Sequence, residues 1–69
     1  MLIAVNLVGP DLVRSHVLID EDSTVSDVAT SKYDLFWRTV KRNGSVVPLT
    51  EKVLPGDTVA VEDVSVDES

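Results

Sequence analysis

Short Val-rich apolar runs separated by turn residues divide this sequence, and their spacing constrains the fold more than any other feature. The first run, residues 1–8, is apolar except for Asn6 and stops at Gly9 and Pro10. A β-branched run of this length, ended by turn residues, predicts a strand buried on both faces. Residues 12–19 are predicted to form a second strand directly after the turn, and this close spacing predicts an antiparallel hairpin. No run approaches the roughly 20 residues of a membrane span, so we expect a soluble, cytoplasmic domain without a membrane partner.

A short helix is predicted after this hairpin. Thr24 is a good N-cap residue, and Asp27 lies three positions later, where a capping box needs an acidic partner. The helix is expected to end between residues 29 and 32. Its apolar face has the spacing i, i+3, i+4 and consists of Val25, Val28 and Ala29.

Two turn signals organise the second half of the chain. Residues 35–41 are rich in strand formers, and Asn43 and Gly44 after them predict a type I′ hairpin. A short return strand is expected at 45–47. The sequence LPGD at 54–57 places Pro and Gly where a type II turn requires them. A last strand is predicted directly after that turn.

The predicted element order is strand, strand, helix, strand, short strand, strand. A right-handed crossover through the helix places the last strand, residues 58–64, beside the first. One helix on one face of a mixed sheet is an economical way for so short a chain to bury its Val and Leu side chains. The expected fold class is α+β, a β-grasp roll in which a mixed four- to five-stranded sheet packs on one short helix. Residues 1–66 are assigned to this single domain and residues 67–69 to a short acidic C-terminal end.

Three segments together resemble a known family. They are TVSDV at 24–28, VKRNG at 40–44 followed by Val46 and Val47, and LPGDTV at 54–59. This pattern is similar to that of the ubiquitin-like sulfur carriers of thiamine and molybdopterin synthesis and of the small archaeal modifier proteins. The resemblance covers nearly the whole chain in order and spacing. It implies a ubiquitin-like β-grasp fold that docks through its exposed sheet face.

The C-terminal sequence departs from that family. The resemblance implies a carrier that works through a C-terminal Gly-Gly, whose carboxylate is adenylated and converted to a thiocarboxylate or an isopeptide. Glycine is needed because such a tail threads a narrow enzyme channel. This sequence ends in VSVDES, and charged Asp67 and Glu68 are costly to place in such a channel. We therefore expect no carrier reaction unless a Gly-Gly follows Ser69.

The acidic composition and the absence of cysteine exclude several kinds of site. Twelve acidic and six basic residues give a net charge of -6, which disfavours direct nucleic-acid binding through phosphate contacts. Without Cys there is no disulfide scaffold, thiolate metal site or cysteine catalysis. The one histidine, His16, alternates with Ser15 on opposite strand faces, so the two cannot form a nucleophile and base pair. We expect no enzyme activity, no cofactor and no metal.

Two clusters are candidates for contacting a partner protein. Four of the six bases lie within residues 32–42 around Trp37, and Trp and Arg commonly anchor interfaces. Core packing and an interface role both stay open for Trp37. The candidate contacts of this cluster are Trp37, Arg38, Val40 and Arg42. The second cluster is the acidic end, with Glu62, Asp63, Asp67 and Glu68.

The function predicted from these observations is that of a non-catalytic, ubiquitin-like protein-binding module, or adaptor, acting through its sheet face and acidic end. Its partner is another protein, and the chain is expected to be a monomer or a weak dimer. One alternative is a sulfur carrier or protein modifier whose Gly-Gly tail is missing from this chain. The other is a small acidic inhibitor, of a viral kind, that occupies the basic nucleic-acid channel of a host enzyme through electrostatic steering.

Overall fold

In a computed structural model that describes residues 1–64, one mixed sheet packs against one short helix. The elements are β1 (Leu2–Val8), β2 (Arg14–Asp20), α1 (Val25–Thr30), β3 (Arg38–Arg42), β4 (Ser45–Val46) and β5 (Thr58–Asp63). The strand order across the sheet is β2-β1-β5-β3-β4. Strands β1 and β5 are parallel, and the other neighbours are antiparallel. The predicted α+β architecture, with the last strand beside the first, is therefore confirmed.

The burial of β1 differs from the sequence-based expectation. Ile3, Val5 and Leu7 are buried, whereas Leu2 and Ala4 on the opposite face are exposed. Strand β1 is thus buried on one face and not on both. The physical reason is that a sheet face is buried only where another layer covers it, and α1 lies on a single face.

The hydrophobic core lies between the sheet and α1. It is built almost entirely from β-branched and aliphatic side chains, which pack well on a pleated surface. Half-buried side chains, among them Val17, Ile19 and Tyr33, pack around it. The buried members are Ile3, Val5, Leu7, Val25, Val28, Ala29, Val40, Val53, Val59 and Val61.

The helix begins as its sequence predicts. Thr24 adopts an extended backbone conformation, and its hydroxyl oxygen accepts a hydrogen bond from the Asp27 backbone N–H. The Asp27 carboxylate in turn accepts from the Thr24 backbone N–H at 3.0 Å, which completes the capping box. α1 has six residues and is far too short to cross a bilayer, and no helix among residues 1–64 is long and apolar enough to do so.

The predicted turns are also present. Asn43 and Gly44 have φ angles of 52° and 86°, as a type I′ hairpin requires. Gly56 has φ 82°, and the Asp57 N–H donates to the Leu54 carbonyl at 3.1 Å, which is the geometry of a type II turn. These two turns bring the β3–β4 hairpin and the start of β5 together.

Candidate functional site

Several of the predicted partner-binding residues come together where β3 begins and β5 ends. Arg38 at the start of β3 lies opposite Asp63 at the end of β5. Phe36 and Trp37 precede Arg38 in a turn, and their side chains are 75% and 68% exposed. We call Phe36, Trp37, Arg38 and Asp63 the aromatic corner. Of the two roles left open for Trp37, core packing is excluded.

The two rings of the aromatic corner pack on each other. Their centroids lie 5.4 Å apart, and the ring planes meet at 80°, an edge-to-face arrangement. This geometry is favourable for aromatic quadrupoles. The pair presents a compact apolar surface to solvent.

Hydrogen bonds from backbone N–H groups hold the turn that carries these rings. The Asp34 carboxylate accepts from the Phe36 N–H at 2.8 Å, and the Leu35 carbonyl accepts from the Arg38 N–H at 3.2 Å. Beyond the end of β5, the Val64 N–H donates to the Trp37 carbonyl at 2.9 Å. The exposed rings therefore sit on a turn fixed at several points.

Trp37 itself has an unusual backbone conformation. Its φ angle is 59°, in the left-handed region that bulky side chains rarely adopt. This conformation costs on the order of 1–3 kcal/mol and persists only where the surroundings impose it. Here the turn hydrogen bonds impose it, and the result is that the indole points away from the core.

The basic and acidic candidates at this end of the sheet pair with each other. The Arg38 Nε lies 2.9 Å from Asp63 Oδ1, and the Arg38 Nη1 donates to the Asp34 carbonyl at 3.1 Å. On the other face of the sheet, the Lys41 Nζ lies 3.3 Å from Glu62 Oε2. Glu62 and Asp63 thus do not form a separate acidic surface, because each carboxylate lies beside a base of the neighbouring strand.

Val40 does not belong to this site. It is 4% exposed and belongs to the hydrophobic core, where it lies opposite Val61 of β5. Its prediction as a partner contact is wrong. The physical reason is that Val40 lies on the face of β3 that α1 covers.

Arg42 lies at the other end of β3 and contacts Asp57. Its Nε donates to the Asp57 carboxylate at 2.7 Å, and the same carboxylate accepts from the Leu54 N–H at 2.8 Å and from Asn43 Nδ2 at 3.2 Å. Asp57 is 8% exposed. Arg42 therefore compensates a buried charge and holds two turns together, so it is a structural residue and not a free surface contact.

This network sets the ionisation of Asp57. Burial by itself raises the pKa of a carboxyl group. The hydrogen bonds from Leu54, Arg42 and Asn43, together with the Arg42 charge, outweigh burial and lower the pKa of Asp57 below its ordinary value of 3.8. The fold therefore stabilises the charged form of Asp57.

Asp67 and Glu68, the remaining candidates, lie outside the described residues, as does the predicted domain boundary after residue 66. Within residues 1–64 there is no pocket and no cluster of His, Asp and Glu side chains that could hold a metal ion. The described part of the chain therefore offers surfaces for contact rather than a cavity for a small ligand.

The sheet face opposite α1 also carries exposed apolar side chains. Leu2 is exposed at the start of β1, and Ala4 and Leu18 lie opposite each other on β1 and β2. These residues lie at the opposite end of the sheet from the aromatic corner. The open face therefore has an apolar patch bordered by Asp20, which lies opposite Leu2, and its other end carries Arg14, Lys41 and Glu62.

Sequence reasoning missed Phe36 as a candidate contact, because Phe is a strand former and was assigned to the strand. The signal that identifies it is Asp34, two residues earlier. An Asp side chain that caps the N–H two positions on forms an Asx-turn, which ends extended structure and exposes the residues of the turn. The Asp57 network was missed because it joins residues that are distant in sequence.

Comparisons with known proteins identify the fold. No protein-family model matches the sequence. No curated protein matches it either. Solved structures do match: a ubiquitin from Caldiarchaeum subterraneum has a TM-score of 0.71 and 17% identity, over 96% of this chain and 98% of that one. SAMP1 from Haloferax volcanii has a TM-score of 0.66 and 20% identity, over 84% of this chain and 91% of that one.

These likenesses cover nearly the whole of each chain at low sequence identity. They show that this chain has the ubiquitin-like β-grasp fold and resembles small archaeal proteins of that fold. The predicted ubiquitin-like β-grasp fold is confirmed.

Proposed function

We propose that the chain is a non-catalytic, ubiquitin-like protein-binding module whose main contact is the aromatic corner. The observation that carries this proposal is Trp37, which is held at a φ of 59° and remains 68% exposed. An unfavourable backbone conformation that keeps a large apolar ring in water stabilises nothing in the isolated chain. Burial of the indole in a partner protein gives this strained, exposed conformation a function.

The surroundings of the rings define the partner chemistry. Phe36 and Trp37 form an apolar centre, and the Arg38–Asp63 pair at the same end of β3 and β5 carries both signs of charge. An apolar centre with a polar rim is the usual organisation of a protein interface. The expected partner is a protein that offers an apolar pocket rimmed by polar groups of mixed charge.

Truncation of the tryptophan tests the proposal. We expect Trp37→Ala to reduce recovery of a partner from native lysate at least about tenfold, because a buried Trp anchor contributes about 2 kcal/mol or more. Wild-type and variant proteins are immobilised separately, and recovered proteins are quantified by mass spectrometry. The amide NMR spectrum of Trp37→Ala is expected to keep the wild-type dispersion, since the ring packs outside the core.

Leu54→Ala is the matched control for this experiment. Leu54 is an exposed apolar side chain in the turn before β5, at the opposite end of that strand from Asp63. We expect it to retain the partner at the wild-type level. A partner that both variants retain equally would contradict the assignment of the aromatic corner as the contact.

A sulfur carrier or protein modifier is the second candidate function. It is favoured by the likeness in fold to an archaeal ubiquitin and to SAMP1 over nearly the whole chain. Such a protein needs a C-terminal Gly-Gly, which would have to follow Ser69 of this sequence.

Intact-mass measurement of the native protein distinguishes the two candidates. A mass that includes residues beyond Ser69, with Gly-Gly at the end, supports the carrier or modifier. Higher-mass conjugates that contain this chain in an isopeptide bond support the modifier specifically. A native mass that ends at Ser69 contradicts both of these roles and leaves the binding module.

A further inference from the structure

The two edges of the sheet differ in how open they are. Strand β4 at one edge has only two residues, Ser45–Val46, and Pro48 follows closely. Strand β2 at the other edge has seven residues, Arg14–Asp20, which pair with β1 without a bulge. Short strands, prolines and bulges protect sheet edges from pairing with other chains. Within residues 1–64, β4 is short and followed by a proline, whereas β2 is long and regular, and its protection is limited to the charged Arg14 and Asp20 at its ends.

The hydrogen bonds at the two ends of the β1–β2 ladder show which backbone groups of β2 face outward. The Glu21 N–H donates to the Met1 carbonyl at 3.0 Å, and the Gly9 N–H donates to the Val13 carbonyl at 3.1 Å. Both bonds continue the β1–β2 register, in which odd-numbered residues of β2 are the hydrogen-bonded partners of β1. The N–H and C=O groups of the even-numbered residues therefore face away from the sheet. These residues are Arg14, His16, Leu18 and Asp20.

The sequence of β2 is complementary to itself in the antiparallel direction. If two copies pair about a two-fold axis at Val17, Arg14 of each copy lies opposite Asp20 of the other. His16 then lies opposite Leu18 of the second copy. All of these pairs join outward-facing groups, and Arg–Asp pairs directly opposite each other stabilise an antiparallel ladder. Shifting this register by two residues leaves Arg14 or Asp20 outside the paired strand.

We propose that β2 is a self-association edge, through which a second copy of this chain extends the sheet in the Val17-centred antiparallel register. The charged ends select this register, since it is the one that places opposite charges against each other at both ends. The central bonds join His16 and Leu18 of the two copies. The outermost bonds contribute less, because the Asp20 carbonyl already accepts from the Ser23 N–H at 2.9 Å.

This contact forms a weak dimer. A single pair of seven-residue strands buries less surface than the roughly 1,200 Å² at which stable protein interfaces begin. Each copy also carries a net charge of -6, which opposes association at long range. The dimer is therefore expected at high protein concentration and moderate salt.

A pair of charge-reversal variants tests the register. In Arg14→Asp both ends of the paired strands place acid against acid, and in Asp20→Arg both ends place base against base. We expect each variant alone to associate at least about tenfold more weakly than the wild type. An equimolar mixture of the two is expected to recover association, because every end pair then has opposite charges.

Sedimentation from about 10 μM to about 1 mM protein is the measurement, a range suited to weak association. Recovery in the mixture does not come from attraction between oppositely charged proteins. Both variants remain acidic, since the wild-type charge is -6 and each substitution changes it by two. Lys41→Asp is the control, with the same change in charge as Arg14→Asp on β3, which is separated from β2 by β1 and β5. It is expected to weaken association only by the small amount that two added negative charges cause at long range, and much less than Arg14→Asp does.

Amide hydrogen exchange locates the contact independently. The outward N–H groups of His16 and Leu18 are expected to become slower in exchange as concentration rises, whereas the Val17 N–H already bonds β1 and changes little. A wild type that stays monomeric to about 1 mM contradicts the proposal. So does a dimer that survives Arg14→Asp, or a mixture that fails to recover association.

Discussion

At the residue scale, the strongest polar contacts of the described chain hold the fold and do not form the candidate site. The Asp57 carboxylate accepts from Arg42, Asn43 and the Leu54 backbone, and the Asn43 side chain also accepts from the Thr58 N–H at 3.0 Å. This network ties the β3–β4 turn to the turn before β5. A buried carboxylate so fully compensated stabilises the fold only while it is charged.

The first prediction concerns the pH dependence of stability. The pKa of Asp57 in the folded chain is lowered below its ordinary 3.8, so its contribution is fully present above about pH 4 and is lost as pH falls through the folded value. Urea unfolding across this acidic range is expected to show a falling free energy of unfolding for the wild type. Asp57→Asn is expected to lower the free energy of unfolding by about 1–3 kcal/mol at neutral pH. Its stability is then expected to fall less on acidification.

Glu51→Gln serves as the control, since Glu51 is an exposed acid in the same half of the chain. It should keep the neutral-pH stability and the acid sensitivity of the wild type. If Asp57→Asn and the wild type lost the same free energy on acidification, the Asp57 network would not be the source of that sensitivity.

At the element scale, the short helix depends on its cap. α1 has six residues, too few for helix propensity alone to stabilise it, and Thr24 and Asp27 satisfy N–H groups at its first turn. Thr24→Ala is expected to lower the free energy of unfolding by about 1 kcal/mol, as measured by chemical denaturation. Thr30→Ala at the exposed last residue of the helix is expected to change it by less than about 0.5 kcal/mol. Equal losses for the two variants would show that the cap has no special role.

The elements that could be predicted from sequence are those with local causes. The capping box and the Asn43–Gly44 turn are specified by residues within a few positions of each other, and both are present as predicted. The burial of β1 and the role of Arg42 could not be predicted in this way. They depend on which face α1 covers and on Asp57, which is distant in sequence from Arg42.

The candidate site also has features that could be predicted from sequence and features that could not. Trp37 could be predicted as a candidate contact, because it is a tryptophan with basic residues around it in the sequence. Its exposure was not, because residues 35–37 read as strand formers while the Asp34 turn and the left-handed φ of Trp37 place both rings outside the sheet. The pairing of Arg38 with Asp63 follows from the β3–β5 register, which becomes known only with the topology.

At the scale of the whole molecule, the small core between one sheet and one helix limits the free energy of unfolding. A chain of this length is expected to have a free energy of unfolding of about 3–10 kcal/mol. The core contains no aromatic residue among its fully buried members, and Leu7 is one of the largest of them. Removing one such side chain is therefore expected to remove a large fraction of the free energy of unfolding.

Strand β1 provides a matched pair for this last prediction, because Leu7 is fully buried and Leu2, on the opposite face of the same strand, is 63% exposed. Leu7→Ala is expected to lower the free energy of unfolding by about 2–5 kcal/mol, through lost burial and the cavity left behind. Leu2→Ala is expected to change it by less than about 0.5 kcal/mol. Urea denaturation at low protein concentration, where self-association is negligible, measures both values. Comparable losses for the two variants would mean that β1 is covered on both faces in solution, and the open face assigned to this sheet would then be occupied.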